Sequence, residues 1–279
     1  MTRRCFVIGQ PIAHSRSPLI HGHWLAEHGL AGTYERIEVA PVDVPALLAR
    51  LRAGEFAGGN VTVPNKEVVL SRLDAASDTA IAMGAANTLW MENGRLHGDN
   101  TDAYGFLAHL DACVPGWAGR VETALILGAG GAARAVIHGL TARGVSRIIL
   151  ANRTPDRAEQ LAAAYPRRVT ARPWHDLSSH VAESDLIVNT TSLGMSGQPP
   201  LTIDLSALRP GTIVDDIVYV PLETTLLAEA RRRGGIPVDG LGMLLHQAVP
   251  GFERWFGMRP VVTDALRARL VADIEAAGA

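Results

Sequence analysis

The 26 basic residues of the chain are 25 arginines and a single lysine, Lys66. A guanidinium stays protonated at any working pH, whereas an amine can be tuned to give and take a proton. Composition alone fits codon bias with one surviving lysine equally well. The surroundings of Lys66 are polar: Asn60-Val61-Thr62-Val63-Pro64-Asn65-Lys66 runs off the end of a β-rich segment, where open α/β sheets place ligands. His14-Ser15-Arg16-Ser17-Pro18 offers two hydroxyls suited to a carboxylate, although Ser17 also reads as an N-cap with Pro18 at N1. Gly98-Asp99-Asn100-Thr101-Asp102 adds a carboxylate, and there Thr101 or Asp102 could equally cap the next helix.

Gly128-Ala129-Gly130-Gly131-Ala132-Ala133 follows an apolar strand and opens a helix. Gly128, Gly130 and Ala133 fit the dinucleotide-binding turn, whose backbone N–H groups and helix dipole favour a pyrophosphate. Glycine-rich strand-to-helix turns also occur without a ligand. At the end of the next strand stand Asn152, Arg153 and Thr154, with Arg157 one helical turn beyond. An NAD site would usually carry Asp or Glu there; two guanidinium groups suit the 2′-phosphate of NADP instead. The competing reading is that both arginines are solvated helix charges. Asp156 reads as a first-turn acid complementing the helix dipole.

The elements that must position these residues alternate between strand and helix. Strands are expected over Arg4–Gly9, Thr33–Val39 and Asn60–Val63, helices over Pro18–Glu27 and Val44–Leu51, and a hairpin over Ala86–Met91 and Arg95–Gly98. A second series places strands at Thr123–Gly128, Arg147–Ala151, Leu186–Thr190, Gly211–Ile217 and Ile236–Val238, and helices at Ala132–Ala142, Pro155–Ala164 and Pro221–Arg233. The pattern predicts an α/β protein of two domains, a mainly parallel α/β domain and a Rossmann-like one, with an active-site cleft between them. The expected boundaries are 1–102, completed by helices in 241–279, and 103–240.

The 279 residues are 47% hydrophobic and 19% charged with a net charge of -2, enough apolar content for a sizeable core. That balance argues against a nucleic-acid partner. No window reaches a membrane span, and Cys5 and Cys113 form no metal-ligand set, so neither metal nor membrane is expected and a cytoplasmic setting is.

The chain resembles the shikimate dehydrogenase family over nearly its full length. The likeness is carried by the three polar segments and the glycine turn, by Gly84-Ala85-Ala86-Asn87-Thr88 and Asn152-Arg153-Thr154, and by Asp239-Gly240-Leu241-Gly242-Met243-Leu244. The resemblance implies reversible NADPH-linked reduction of 3-dehydroshikimate to shikimate, on the route to chorismate and the aromatic amino acids. It implies Ser15 and Ser17 at a substrate carboxylate and Thr62, Asn87, Asp102 and Gln247 at ring hydroxyls, with Tyr219 nearby. Lys66 becomes the proton-transfer residue with Asp102 as its partner. Gly128, Ala129, Gly130, Gly131, Ala132, Asn152, Arg153, Thr154, Arg157, Ile217 and Gly240 would line NADP, with Asp78 close to it. Asp78 also reads as a solvated helix charge and Ile217 as a core residue. Asn65 departs from the family's usual aromatic or His and is expected to bear on the pocket wall or its hydrogen bonding. Alternatives are a relative preferring quinate, an aminated analogue or NAD, and a non-catalytic NADP-binding sensor; the protein is expected as a monomer or homodimer.

Overall fold

The computed structural model describes residues 2–278. The chain divides into two compact units, one formed by residues up to Gly105 with those from Leu245 onward, the other by Phe106–Leu244.

In the first unit, β1 (Arg3–Gly9), α1 (Ser17–Glu27), β2 (Gly32–Glu38), α2 (Val44–Arg52) and β3 (Gly58–Val61) alternate as expected. β1 runs parallel to β2 on one side and β3 on the other. Its Cys5, Phe6, Val7 and Ile8 are at most 2% exposed, the unbroken apolar run of a strand covered on both faces. Ser17 is the first helical residue of α1 and Arg16 stands at the N-cap without a side-chain bond. The capping role considered for Ser17 is therefore not the one it plays.

The chain continues through α3 (Lys66–Leu70), β4 (Ala75–Ala76), α4 (Asp78–Met83) and the hairpin β5 (Thr88–Glu92)–β6 (Arg95–Asp99). The sheet order is β2-β1-β3-β5-β6-β4, with β5 antiparallel to both β3 and β6. Asn93 and Gly94 turn the hairpin with φ of 52° and 74°, the two left-handed residues that the Asn-Gly pair supplies at little cost. The brief β4 and α4 lie outside the expected elements because neither is long enough to show a hydrophobic period.

α5 (Asp102–Cys113) leads into the second unit, which holds β7 (Thr123–Leu127), α6 (Gly131–Ala142), β8 (Arg147–Ala151), α7 (Pro155–Ala163), β9 (Val169–Arg172) and α8 (Leu177–Val181). It continues with β10 (Leu186–Asn189), β11 (Ile213–Asp216), α9 (Thr225–Arg232) and β12 (Ile236–Asp239). All pairings are parallel in the order β12-β11-β10-β7-β8-β9. This is a doubly wound sheet whose winding reverses between β7 and β10. Along β7, Ala124 and Ile126 enter one core cluster and Leu125 and Leu127 the other, as a period of two requires. Burial of each of the larger side chains, Leu125, Ile126 and Leu127, contributes roughly 1.5–3 kcal/mol.

Two expectations shift here. The strand over Gly211–Ile217 contracts to Ile213–Asp216, with Gly211 in a turn at φ 82°. The helix expected from Pro221 begins at Thr225, because the Thr224 hydroxyl caps it by accepting from Leu227 N at 3.4 Å. β9 and α8 were not among the expected elements.

α10 (Leu241–Phe256) and α11 (Asp264–Gly278) close the chain, and their residues from Leu245 belong with the first unit. Trp255 Nε1 donates to Leu89 O at 2.8 Å and Trp24 Nε1 to Val261 O at 3.1 Å. Arg16 pairs with Asp273 on α11 at 2.8 Å. No helix among the described residues is long and apolar enough to cross a membrane.

Candidate active site

Lys66 opens α3 immediately after the turn that leaves β3. Its Nζ donates to Asp102 Oδ2 at 2.6 Å, and Asn87 Nδ2 donates to Asp102 Oδ1 at 2.7 Å. The two charged side chains retain 24% and 17% of their exposure, so the pair is sheltered yet reachable. Asp102 is held by its own backbone as well, since Asp102 N donates to Asn100 Oδ1 at 3.0 Å.

The amide of Asn87 has a fixed sense. Its Oδ1 accepts from Thr88 Oγ1 at 2.8 Å, Thr101 N at 2.9 Å and Thr101 Oγ1 at 3.1 Å. Three donors on the oxygen leave only the NH2 end to face Asp102. Behind them Asn60 Nδ2 donates to Asn87 O at 3.0 Å and Thr88 Oγ1 at 3.1 Å, and Tyr34 Oη donates to Asn60 Oδ1 at 2.6 Å. Asn60, Asn87, Thr88 and Thr101 are all nearly fully buried, where unpaired polar groups would be costly. Thr101 thus serves Asn87. In the sequence Asn60 and Thr88 stand out only as parts of motifs and Thr101 only as a possible helix cap, while Tyr34 does not stand out at all, because no local signal marks them as buried partners.

Ser15 Oγ donates to Ser17 Oγ at 3.3 Å and accepts from Ser17 N at 3.4 Å, so the two hydroxyls are adjacent. Thr62 is half-buried, and its methyl would lie 2.5 Å from a Cβ placed on Gly9, which brings the ends of β1 and β3 together. Gln247 is half-buried on α10. Asp78 is exposed in the first turn of α4, where its charge complements the helix N-terminus. Asn65 is fully buried: its Nδ2 donates to Val39 O at 2.8 Å, while its Oδ1 is buried without a hydrogen-bond partner among the described residues.

His21, also fully buried, stacks on Tyr34 with ring centroids 4.0 Å apart and lies near Trp24, Phe252 and Trp255. Burial drives its pKa down to about 3, against a smaller opposing influence of Asn60. It is a neutral helix-packing histidine.

In the second unit the glycine turn sits at the point where the winding reverses. Gly128 has φ 104°, and a Cβ there would stand 2.8 Å from Thr190 Oγ1 and 2.9 Å from Thr191 Cγ2. Cβ atoms on Gly130 and Gly131 would meet nothing within 4 Å. Gly130 is the N-cap of α6 and supplies no side-chain bond. Ala129 and Ala132 complete the turn. The start of α6 is therefore open ground with uncapped N–H groups, which fits a pyrophosphate. Arg153 and Arg157 are exposed. Neither forms an ion pair among the described residues, which leaves both guanidinium groups available to a phosphate monoester. Asn152 Nδ2 donates to Thr154 O at 2.8 Å, shaping that loop. A Cβ on Gly240 would fall 2.2 Å from Ile217 O, so the starts of the loops after β11 and β12 are in close contact. Sequence reasoning missed Thr190 and Thr191, whose place beside Gly128 follows from the β7–β10 pairing.

Asp216, at the end of β11, accepts from Asn189 Nδ2 at 2.9 Å, Thr224 Oγ1 at 2.7 Å and Val218 N at 3.1 Å. Burial raises its pKa, and burial first and Asp216 second raise that of Asp215 well above the ordinary range. These bonds brace the segment carrying Ile217 and Tyr219, the latter half-buried in this unit.

A doubly wound sheet with an open glycine turn, in a chain whose other α/β unit holds a lysine–carboxylate pair, defines a two-unit α/β protein of the nucleotide-dependent oxidoreductase class. Three family models match in chain order: the shikimate dehydrogenase substrate binding domain over residues 7–89, shikimate / quinate 5-dehydrogenase over 118–196, and the shikimate 5′-dehydrogenase C-terminal domain over 240–268. The shikimate dehydrogenase (NADP(+)) of Methylobacterium radiotolerans is 58% identical over 276 residues, covering 98% of each chain. That of Azorhizobium caulinodans is 54% identical over 276 residues, covering 99% of this chain and 98% of its own. The shikimate 5-dehydrogenase of Thermus thermophilus, solved with NADP(H) and shikimate, superposes with a TM-score of 0.86 at 35% identity, covering 98% of this chain and 99% of that one. The chain belongs to the shikimate dehydrogenase family.

Proposed function

We propose that this protein catalyses the reversible NADPH-linked reduction of 3-dehydroshikimate to shikimate, on the route to chorismate and the aromatic amino acids. The observation that carries the mechanism is the directed contact of Lys66 Nζ with Asp102, itself oriented by Asn87. The names borne by relatives aligned over nearly their whole length support the substrate and the nucleotide.

Bound NADPH supplies the hydride to the ketone carbon. The carbonyl oxygen then gains charge, and the Lys66 ammonium neutralises it by giving up a proton from Nζ; in oxidation the neutral amine takes one back. Asp102 holds that amine in place and offers an acceptor to a neighbouring ring hydroxyl. Ser15 and Ser17 present hydroxyl donors to the ring carboxylate, while Thr62, Asn87 and Gln247 hold ring hydroxyls. The first unit thus binds substrate. The second binds NADP, with Gly128–Ala132 at the pyrophosphate, Asn152 and Thr154 beside the adenosine, Arg153 and Arg157 on its 2′-phosphate, and Ile217 and Gly240 along its length.

The test is absorbance at the NADPH band with purified protein, shikimate or quinate, and NADP or NAD. The reading requires the fastest turnover with shikimate and NADP. Preference for quinate, or nucleotide binding without turnover, contradicts it.

A further inference from the structure

Tyr34 sits on β2, paired with Cys5 of β1, and none of the catalytic or binding roles above uses it. Its phenol nonetheless heads an unbroken series of directed hydrogen bonds. Tyr34 Oη donates to Asn60 Oδ1 (2.6 Å), Asn60 Nδ2 donates to Thr88 Oγ1 (3.1 Å), and Thr88 Oγ1 donates to Asn87 Oδ1 (2.8 Å). Asn87 Nδ2 then donates to Asp102 Oδ1 (2.7 Å), whose other oxygen accepts from Lys66 (2.6 Å).

The direction of the series is forced. Asn60 Nδ2 also donates to the backbone carbonyl of Asn87 at 3.0 Å, so reversing the Asn60 amide would set oxygen against oxygen. With that amide fixed, the phenol must donate to it. Burial first and Cys5 second push the Tyr34 pKa well above its usual value. The phenol therefore stays neutral and keeps its proton for Asn60. The ring cannot easily swing away, because it stacks on His21 at 4.0 Å and meets Trp255 at 6.0 Å.

We propose that Tyr34 is a positioning residue that heads the Asn60–Thr88–Asn87–Asp102–Lys66 series, so that the carboxylate facing the proton-transferring lysine is set from the buried phenol by one hydrogen-bonded frame. The proposal rests on the substrate reading given above. Linked buried hydrogen bonds polarise and orient one another, so their loss is shared along the frame.

Tyr34→Phe removes one oxygen and keeps the stacked ring. The frame predicts a five- to twentyfold fall in kcat/KM for shikimate, taken from both kcat and KM, with KM for NADP within twofold of wild type. Thr88→Val, of nearly equal volume, cuts the frame between Asn60 and Asn87 and gives the same pattern. The double variant falls no further than about the worse single one, because either substitution already breaks the frame. Steady-state parameters that stay within twofold in both variants, or losses that multiply in the double variant, overturn the proposal, whatever happens to thermal stability. Should one variant not fold, the other carries the kinetic test alone. Turnover of shikimate by the wild-type protein tests the substrate reading separately, and the variant-to-wild-type ratio on whichever substrate is turned over tests the frame.

Discussion

Lys66 Nζ lies 2.6 Å from Asp102 Oδ2, while the second oxygen of the same carboxylate is taken by Asn87 at 2.7 Å. The ammonium is thus held by a carboxylate that has little freedom to turn. Asp102→Asn keeps the shape and removes the charge. It should lower kcat about a hundredfold, within the usual span of a lost acid–base contribution, while the Kd for NADP measured by fluorescence titration stays within twofold.

Arg153 and Arg157 predict a nucleotide-selective loss. Replacing both with Ala removes charge-assisted bonds of roughly 1.5–3 kcal/mol each, so KM for NADP should rise at least tenfold. KM for NAD, which has no 2′-phosphate, should move less than threefold. Equal losses for the two nucleotides would place the arginines elsewhere in the chemistry.

The glycine turn separates two effects that are usually confounded. Gly128→Ala forces a Cβ into φ 104° and to 2.8 Å from Thr190 Oγ1, so both the thermal midpoint and NADP affinity should fall. Gly130→Ala meets no atom within 4 Å; the midpoint should hold within about 2 °C, since ~1 kcal/mol is worth only a few degrees in a protein of this size. Its NADP affinity should still drop, because the methyl fills the approach to the α6 N-terminus.

Much of this arrangement was legible in the chain. Asn93-Gly94 announced its hairpin, and the run from Thr123 to Ala151 announced a βαβ unit with its glycine turn, because periodicity and turn chemistry act locally. Lys66 and Asp102 were legible as a pair only through family resemblance, since their contact spans the whole of α3, α4 and the hairpin. The buried frame behind them was not legible: nothing local tells that Asn60, Thr88 and Thr101 face one another across β3, β5 and the turn after β6. Pro221 misled for a related reason, its helix-starting preference yielding to the Thr224 cap.

His21 makes acid sensitivity a property of the fold. Its folded pKa is near 3, against an unfolded value of about 6.5. Between these values the unfolded chain binds the extra proton, so stability rises with pH through that window and is fully present above it. His21→Phe retains the stacking and removes the proton. The stability difference between wild type and variant, from urea titrations at pH 4.5 to 7.5, should therefore change by about 1.4 kcal/mol per pH unit below pH 6 and level off above pH 7. A difference that is flat across the range would refute neutral burial of His21.

The most direct test of the account is kcat for Lys66→Arg in the reduction of 3-dehydroshikimate, with substrate and NADPH binding measured on the same preparation. Arginine keeps the positive charge and the hydrogen bond to Asp102 but does not readily release a proton. The account predicts a loss of at least a hundredfold in kcat, with both ligands bound within about fivefold of wild type. A kcat within tenfold of wild type would contradict proton transfer by Lys66.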